Sequence, residues 1–165
     1  MRENEKQMIV SFDLDDTLFV NPDVISVEEN LKFPFKLFYK ERLRLGTTDL
    51  MLKIRQHGIK LWIYTTSFRS ERYIRSYFKH YGIEIDDVVN GARHAAEVQG
   101  YRKESLPSKY PAKYRIDLHI DDDVSVFQNG EIYGFKVFLL NDTSADWHLK
   151  IWNEIERMHM RIIHC

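Results

Sequence analysis

Two carboxylates two residues apart, Asp13 and Asp15, follow the apolar run Met8-Ile9-Val10-Ser11-Phe12, with Asp16 and Thr17 directly after them. Residues two apart in a strand share a face, so these acids lie close together and repel strongly wherever water is scarce. A cation between them relieves that repulsion, and oxygen donors suit a hard divalent ion such as Mg2+ better than a soft metal. A second acidic run, Asp121-Asp122-Asp123, ends the apolar stretch Ile116-Asp117-Leu118-His119-Ile120. A third such stretch, Ile59 to Tyr64, ends in the hydroxyls of Thr65, Thr66 and Ser67. Such a divalent ion, held by a carboxylate or two, completes its shell well with the oxygens of a substrate phosphate. A solvated turn that caps a helix is the plainer account of a single Asp-x-Asp. Its recurrence at other strand ends points to a site instead.

The elements that must position these groups alternate. Thr47 to His57 carries a hydroxyl cap, Leu50, Met51 and Ile54 on one stripe, and a stop at Gly58. From Ser70 to Tyr81, Tyr73, Ile74, Tyr77, Phe78 and Tyr81 fall at helical spacing as core residues, with Arg69, Arg72, Arg75 and Lys79 mostly off that stripe. A short third strand is expected within Ile83 to Val89 and a fifth over Phe135 to Leu140. Trp147, Ile151, Ile155, Met158 and Ile162 form the stripe of a last helix. Asn129-Gly130 reads as a turn, and Gly91 to Gln99 has no clear pattern. Strands alternating with helices predict an α/β fold, a Rossmann-like three-layer sandwich around a central parallel sheet, with ligands at the carboxyl ends of its strands.

An irregular segment, 19-46, follows the first acidic run as a small insert and is expected above the acidic edge as a flap. It carries Lys32, Lys36, Lys40, Arg42 and Arg44 against Glu41, with Phe33, Phe35, Phe38 and Tyr39 interleaved. Cations between aromatic faces suit a phosphorylated polymer or a nucleotide. The alternative is that the rings pin the flap while the charges are solvated.

At 165 residues and 44% hydrophobic composition, one domain, 1-165, is expected. A net charge of −1 argues against a generic nucleic-acid coat. The one cysteine, Cys165, allows no intramolecular disulfide and points away from thiol or zinc chemistry, so a reducing, cytoplasmic location is expected. Met1 to Gln7 is too polar for a signal peptide, and no apolar run suggests a membrane span. His119 reads as a hydrogen-bonded structural histidine. His159, His164 and Cys165 read as a solvated tail, and Trp147 and Trp152 as helix-packing residues.

Phe12-Asp13-Leu14-Asp15-Asp16-Thr17-Leu18 resembles the first motif of the haloacid dehalogenase-like (HAD) phosphohydrolase superfamily, and the later motifs follow in order. The resemblance covers almost the whole chain. It implies Asp13 as nucleophile and Asp15 as general acid/base, with Thr65 and the adjoining Thr66 holding the phosphoryl group. Mg2+ would sit on Asp13, the Asp15 backbone carbonyl, Asp121 and Asp122. Lys109, in Ser108-Lys109-Tyr110-Pro111, is taken as the third-motif lysine, with Lys103 and Lys113 as rivals. An acid at the position of Asp15 marks phosphatases rather than dehalogenases, and Asp16 stands where glycine is often found.

The implied activity is hydrolysis of a phosphomonoester through an aspartyl-phosphate. The alternatives are a catalytically weak phosphate-binding or regulatory module, or a phosphotransferase acting on a nucleotide or phosphoprotein. The short inter-motif segments resemble minimal-cap members with an open site, so the phosphorylated substrate ranges from a small molecule to a phosphoprotein or a nucleic-acid end. Thr65-Thr66-Ser67 looks like the second motif of phosphoprotein phosphatases of the carboxy-terminal-domain type. A receiver domain would need an Asp at the end of the third strand, and Val88-Val89-Asn90 has none.

Overall fold

The computed structural model describes residues 6–163, so His164 and Cys165 lie outside the described residues. Five strands form one sheet: β1 (Ile9–Phe12), β2 (Lys60–Tyr64), β3 (Asp87–Val89), β4 (Leu118–Asp121) and β5 (Val137–Leu139). Their order is β3-β2-β1-β4-β5, and all four neighbouring pairs are parallel. The expected α/β class therefore holds. The chain moves from β1 outward to β3 and then returns to place β4 on the other side of β1. The topological switch point thus lies between β1 and β4, where Phe12 pairs with Ile120.

Alternation along the strands divides the sheet into two unlike faces. Val10, Phe12, Leu61, Ile63, Leu118 and Ile120 point into the main core, which also holds side chains of α1 (Thr47–Gln56), α2 (Glu71–His80) and α5 (Trp147–Ile163). The other face carries Ile9, Ser11, Trp62, Tyr64, His119 and Asp121. It is covered by smaller clusters around Tyr64 and Ile116, and around Val126 and Phe135 from α4 (Val124–Tyr133) and the turn after it.

Several local expectations change. Asn129 and Gly130 lie inside α4 rather than in a turn. A Cβ on Gly130 would come 2.6 Å from the carbonyl oxygen of Phe135, so this glycine serves the close return of the chain toward β5. Gly91 to Gln99 is helical: α3 (Gly91–His94) runs into a π-helical turn (Ala95–Gln99). Its apolar stripe is absent because of its buried residues only Gly91 and Val98 face the body. Thr47 does not cap α1. Its hydroxyl donates to the Arg44 carbonyl at 2.7 Å, while Glu28 accepts from the Gly46 and Thr48 amides at 3.0 and 3.1 Å and supplies the cap from the insert.

The insert also takes a different course from the one expected. Its two legs are joined by bridges from Phe19 to Leu43 and from Val27 to Arg44. Arg44 is buried, donates to the Asp142 carbonyl at 2.8 Å and lies over the Trp147 ring. Beyond those bridges the segment runs along α2. The Tyr81 hydroxyl donates to the Glu29 carbonyl, Phe35 packs on His80 with centroids 4.0 Å apart, and the Tyr39 hydroxyl donates to Ser76 at 2.6 Å. The Tyr73 hydroxyl donates to Glu41 at 2.7 Å. From His80 back to Tyr73 is about 10 Å along a helix axis. The Phe35 region therefore lies down the flank of α2, and the insert meets the acidic edge at its two ends, at Phe19, which bridges to Asp15, and at the return at Glu41.

Gly130→Ala is expected to destabilise the protein by about 1–3 kcal/mol, because the new methyl group must displace the backbone at Phe135. Urea unfolding followed by circular dichroism measures this. An unchanged midpoint would show that the α4–β5 connection gives way freely.

Candidate active site

The parallel register brings the acidic runs together. Asp13 leaves β1 with its amide bonded to the Ile120 carbonyl at 2.9 Å, which holds its side chain beside Asp121 at the end of β4. Carboxylate oxygens of Asp13, Asp121 and Asp122 all lie within 4.8 Å of one another. Asp13 is 6% exposed and Asp121 fully buried, so two of these three charges stand largely out of water. Asp123 turns away to cap α4, where its side chain accepts from the Ser125 amide at 2.7 Å.

Lys109 enters this cluster. Its ammonium lies 2.7 Å from Asp13 Oδ1 and 2.5 Å from Asp121 Oδ2, and the residue is 3% exposed. Lys103 and Lys113 are exposed. The loop that carries Lys109 is fixed just beyond it, where the Tyr110 amide donates to the Tyr64 hydroxyl at 2.8 Å. That hydroxyl sits 2.7 Å from His94 Nδ1, and burial lowers the His94 pKa, so Tyr64 donates its own proton to a neutral imidazole.

Burial and partners separate the two central acids. Burial pushes Asp13 from 3.8 up to about 7, with Lys109 opposing and Asp121 adding to the rise. Burial also works to raise Asp121, but the hydrogen bond from His119 and the charge of Lys109 outweigh it and bring the group to about 2. His119 is fully buried, and desolvation lowers its pKa. A neutral ring whose Nε2 lies 2.8 Å from Asp121 Oδ2 donates there, so Nδ1 accepts from the Ser11 hydroxyl at 2.8 Å. With Lys109 and His119 both on Oδ2, Asp121 Oδ1 takes, among the described residues, the Asp123 amide alone, at 3.0 Å.

Thr17, in the first acidic stretch, is buried and donates its hydroxyl proton to Asp122 Oδ1 at 2.7 Å. Asp16, just before Thr17, adopts φ 63°, a left-handed conformation that aspartate tolerates better than most residues. Three carboxylates against one ammonium leave a surplus of negative charge in a nearly dry place. An oxygen-coordinated divalent cation fits that donor set and that surplus.

The hydroxyl arm comes from β2. Thr65 is buried, its amide bonds to the Val89 carbonyl, and its Oγ1 accepts from the Ser67 amide at 3.1 Å, which leaves the hydroxyl proton free for an incoming oxygen. Thr66 is exposed, and its side chain makes no hydrogen bond with the described residues. A Cβ on Gly91 would come 2.4 Å from the Thr66 carbonyl, so the start of α3 packs directly under this loop.

Asp15 is separate from the buried trio. Its side chain is 52% exposed and lies in a two-pronged pairing with Arg69, at 2.9 and 3.0 Å. Arg69 is a residue that sequence reasoning passed over, noted only as one of several cations off a helical stripe. Ser11 and His119 carried a stronger signal, since polar side chains within buried strands require partners.

No family model matches the chain, and no curated protein matches it in sequence. Solved structures do. A hydrolase from Streptococcus pneumoniae TIGR4 matches with a TM-score of 0.54 at 15% identity, over 90% of this chain and 99% of that one. An uncharacterized protein from Listeria monocytogenes serotype 4b matches with a TM-score of 0.53 at 18% identity, over 82% of this chain and 79% of its own. A HAD-superfamily hydrolase, subfamily IA, variant 1, from Geobacter sulfurreducens PCA matches with a TM-score of 0.50 at 11% identity, over 81% and 89%. The fold of this chain is thus HAD-like.

The raised pKa of Asp13 has a signed consequence for stability. Between about pH 4 and 7 the folded state holds a proton that the unfolded state has released, so without divalent cations stability from this group falls as pH rises through about 7. Asp13→Asn removes that loss. Its melting temperature relative to wild type, measured in chelator, is expected to rise from pH 4.5 to pH 8. A difference that stays flat or falls with pH would show that ionised Asp13 is not penalised.

Proposed function

We propose that the chain is a Mg2+-dependent phosphomonoester hydrolase that works through an aspartyl-phosphate on Asp13. The observation that carries the reading is the buried Asp13–Lys109–Asp121 cluster, with Asp122 beside it, at the switch point of a HAD-like sheet. Lys109 bridges the nucleophile and a metal ligand, a place from which its ammonium also reaches a transferring phosphoryl group.

In the first half-reaction an Asp13 carboxylate oxygen bonds to phosphorus while the phosphorus–oxygen ester bond breaks, and Asp15 gives its proton to the departing oxygen. In the second half, water attacks the phosphorus of the aspartyl-phosphate and passes a proton to Asp15. The acyl-phosphate bond breaks, inorganic phosphate leaves, and both carboxyl groups return to their starting states. Thr65 donates its free hydroxyl proton to an equatorial oxygen, with the exposed Thr66 at the mouth of the same loop. Asp13, Asp121, Asp122 and the Asp15 backbone carbonyl would hold Mg2+, which supplies charge neutralisation on the phosphoryl oxygens. Thr17 and His119 keep Asp122 and Asp121 turned to their tasks.

The half-exposed Asp15 and the course of 19-46 along α2 support an open, minimal-cap site that admits a phosphate on a small molecule, a protein or a nucleotide. No described helix is long and apolar enough to cross a membrane. The lone cysteine suits a reducing, cytoplasmic setting.

The decisive experiment is hydrolysis of p-nitrophenyl phosphate with Mg2+. Turnover is expected to vanish on chelation and in Asp13→Asn, and Lys109→Ala is expected to reduce it far more than Lys103→Ala or Lys113→Ala. Full activity of Asp13→Asn would remove the nucleophile from the scheme. A separate expectation concerns Asp15→Asn, which should lose about 100-fold or more on alkyl phosphates and much less on activated aryl esters, because only poor leaving groups depend on a proton donor. Equal losses across the series would exclude Asp15 as the acid.

A further inference from the structure

Resting on that assignment of Asp15, we propose that Arg69 is the positioning residue for the general acid/base and that Glu41 of the insert positions Arg69. Arg69 Nη1 and Nη2 donate to the two Asp15 oxygens, Nε donates to Glu41 Oε1 at 3.0 Å, and Nη1 also donates to Ser67 Oγ at 2.8 Å. The guanidinium lies over the Phe19 ring, 5.4 Å from its centre. Glu41 is fixed in turn, since its Oε2 accepts from the Tyr73 hydroxyl and its backbone carbonyl from the Tyr77 hydroxyl, both on α2.

Burial grades along this chain of contacts. The side chains of Glu41, Arg69 and Asp15 are 16%, 27% and 52% exposed. Arg69 is therefore anchored from below, and the carboxylate is the partner free to move. To hand a proton to a leaving oxygen, Asp15 must turn one oxygen out of the fork, and to receive a proton from water it must return to a defined place. An exposed ion pair contributes little to stability, so the worth of this one lies in alignment. The flat guanidinium fixes both oxygens at once, which a lysine ammonium cannot do. The insert then acts on the chemistry through Glu41 rather than by covering the site.

The test compares kcat and KM on p-nitrophenyl phosphate and on an alkyl ester, glycerol 2-phosphate, for wild type, Arg69→Gln, Arg69→Lys and Glu41→Gln. Melting temperatures are measured in parallel. Arg69→Gln is expected to lower kcat on the alkyl ester by about 10- to 100-fold while changing the aryl ester by less than about threefold. Arg69→Lys is expected not to rescue, and Glu41→Gln to show a smaller loss of the same selectivity. In an Asp15→Asn background, Arg69→Gln should add no further selectivity against the alkyl ester.

Equal losses on both esters, full rescue by lysine, or additive selectivity in the Asp15→Asn background would each overturn the inference. Should Arg69→Gln fail to fold, the ester selectivity of Glu41→Gln decides in the same way, and unchanged selectivity there overturns it. Absence of any turnover in wild type overturns the phosphatase reading and this inference together. Turnover that depends on Asp13 with unselective Arg69 variants overturns this inference alone.

Discussion

One buried ammonium among carboxylates sets the terms for the whole molecule. Lys109 touches both Asp13 and Asp121 where hardly any water reaches, so each carboxylate that stays ionised there must be held by a designated donor. The donors come from separate elements: His119 from inside β4, Thr17 from the turn after β1, and the Asp123 amide from the start of α4. The central strands can deliver these groups together because they run parallel and end at one level. An antiparallel neighbour beside β1 would have placed its strand end at the far edge.

The two faces of the sheet divide the labour of stability and chemistry. Three helices and the inward-facing residues of four strands build the main core on one side. The other side trades apolar contact for a polar ladder, Ser11, His119 and Asp121, flanked by Tyr64. That second face has a smaller apolar cluster around Tyr64, Val89 and Ile116. The insert extends the stable side. It lies along α2, lends Glu28 to cap α1 and buries Arg44 against Trp147, and it meets the acidic edge at Phe19 and Glu41.

The strand ends were legible in the sequence because a β-branched or apolar run that stops at an acid or hydroxyl marks the last residue of a strand or the one just after it, as at Phe12-Asp13, Tyr64-Thr65 and Ile120-Asp121. Lys109 had no such mark. Its place depends on the Tyr64 hydroxyl, 45 positions earlier, gripping the next amide, and no local pattern encodes that contact. Gly130 misled for the same reason: Asn-Gly is a turn signal locally, yet what needs the glycine is the carbonyl of Phe135. Arg69 was hidden by its location in a loop, outside every periodic element. The insert's course could not be read because its aromatic residues match α2 only once both are folded.

The Ser11–His119–Asp121 ladder has a consequence for assembly of the chain as well as for its finished state. A strand displaced by one residue exchanges its two sets of side chains between faces. Were β4 to dock so displaced, His119 and Asp121, two apart on one strand face, would enter the apolar side together among Val10 and Phe12, without the Ser11 hydroxyl for the ring or the Lys109 ammonium for the acid. Ile120, in exchange, would stand where an acid is required. The buried imidazole thus acts as a proofreader of alignment: mispaired sheets carry the penalty of unmet hydrogen bonds, and the arrangement that satisfies the histidine is also the one that brings the acids together.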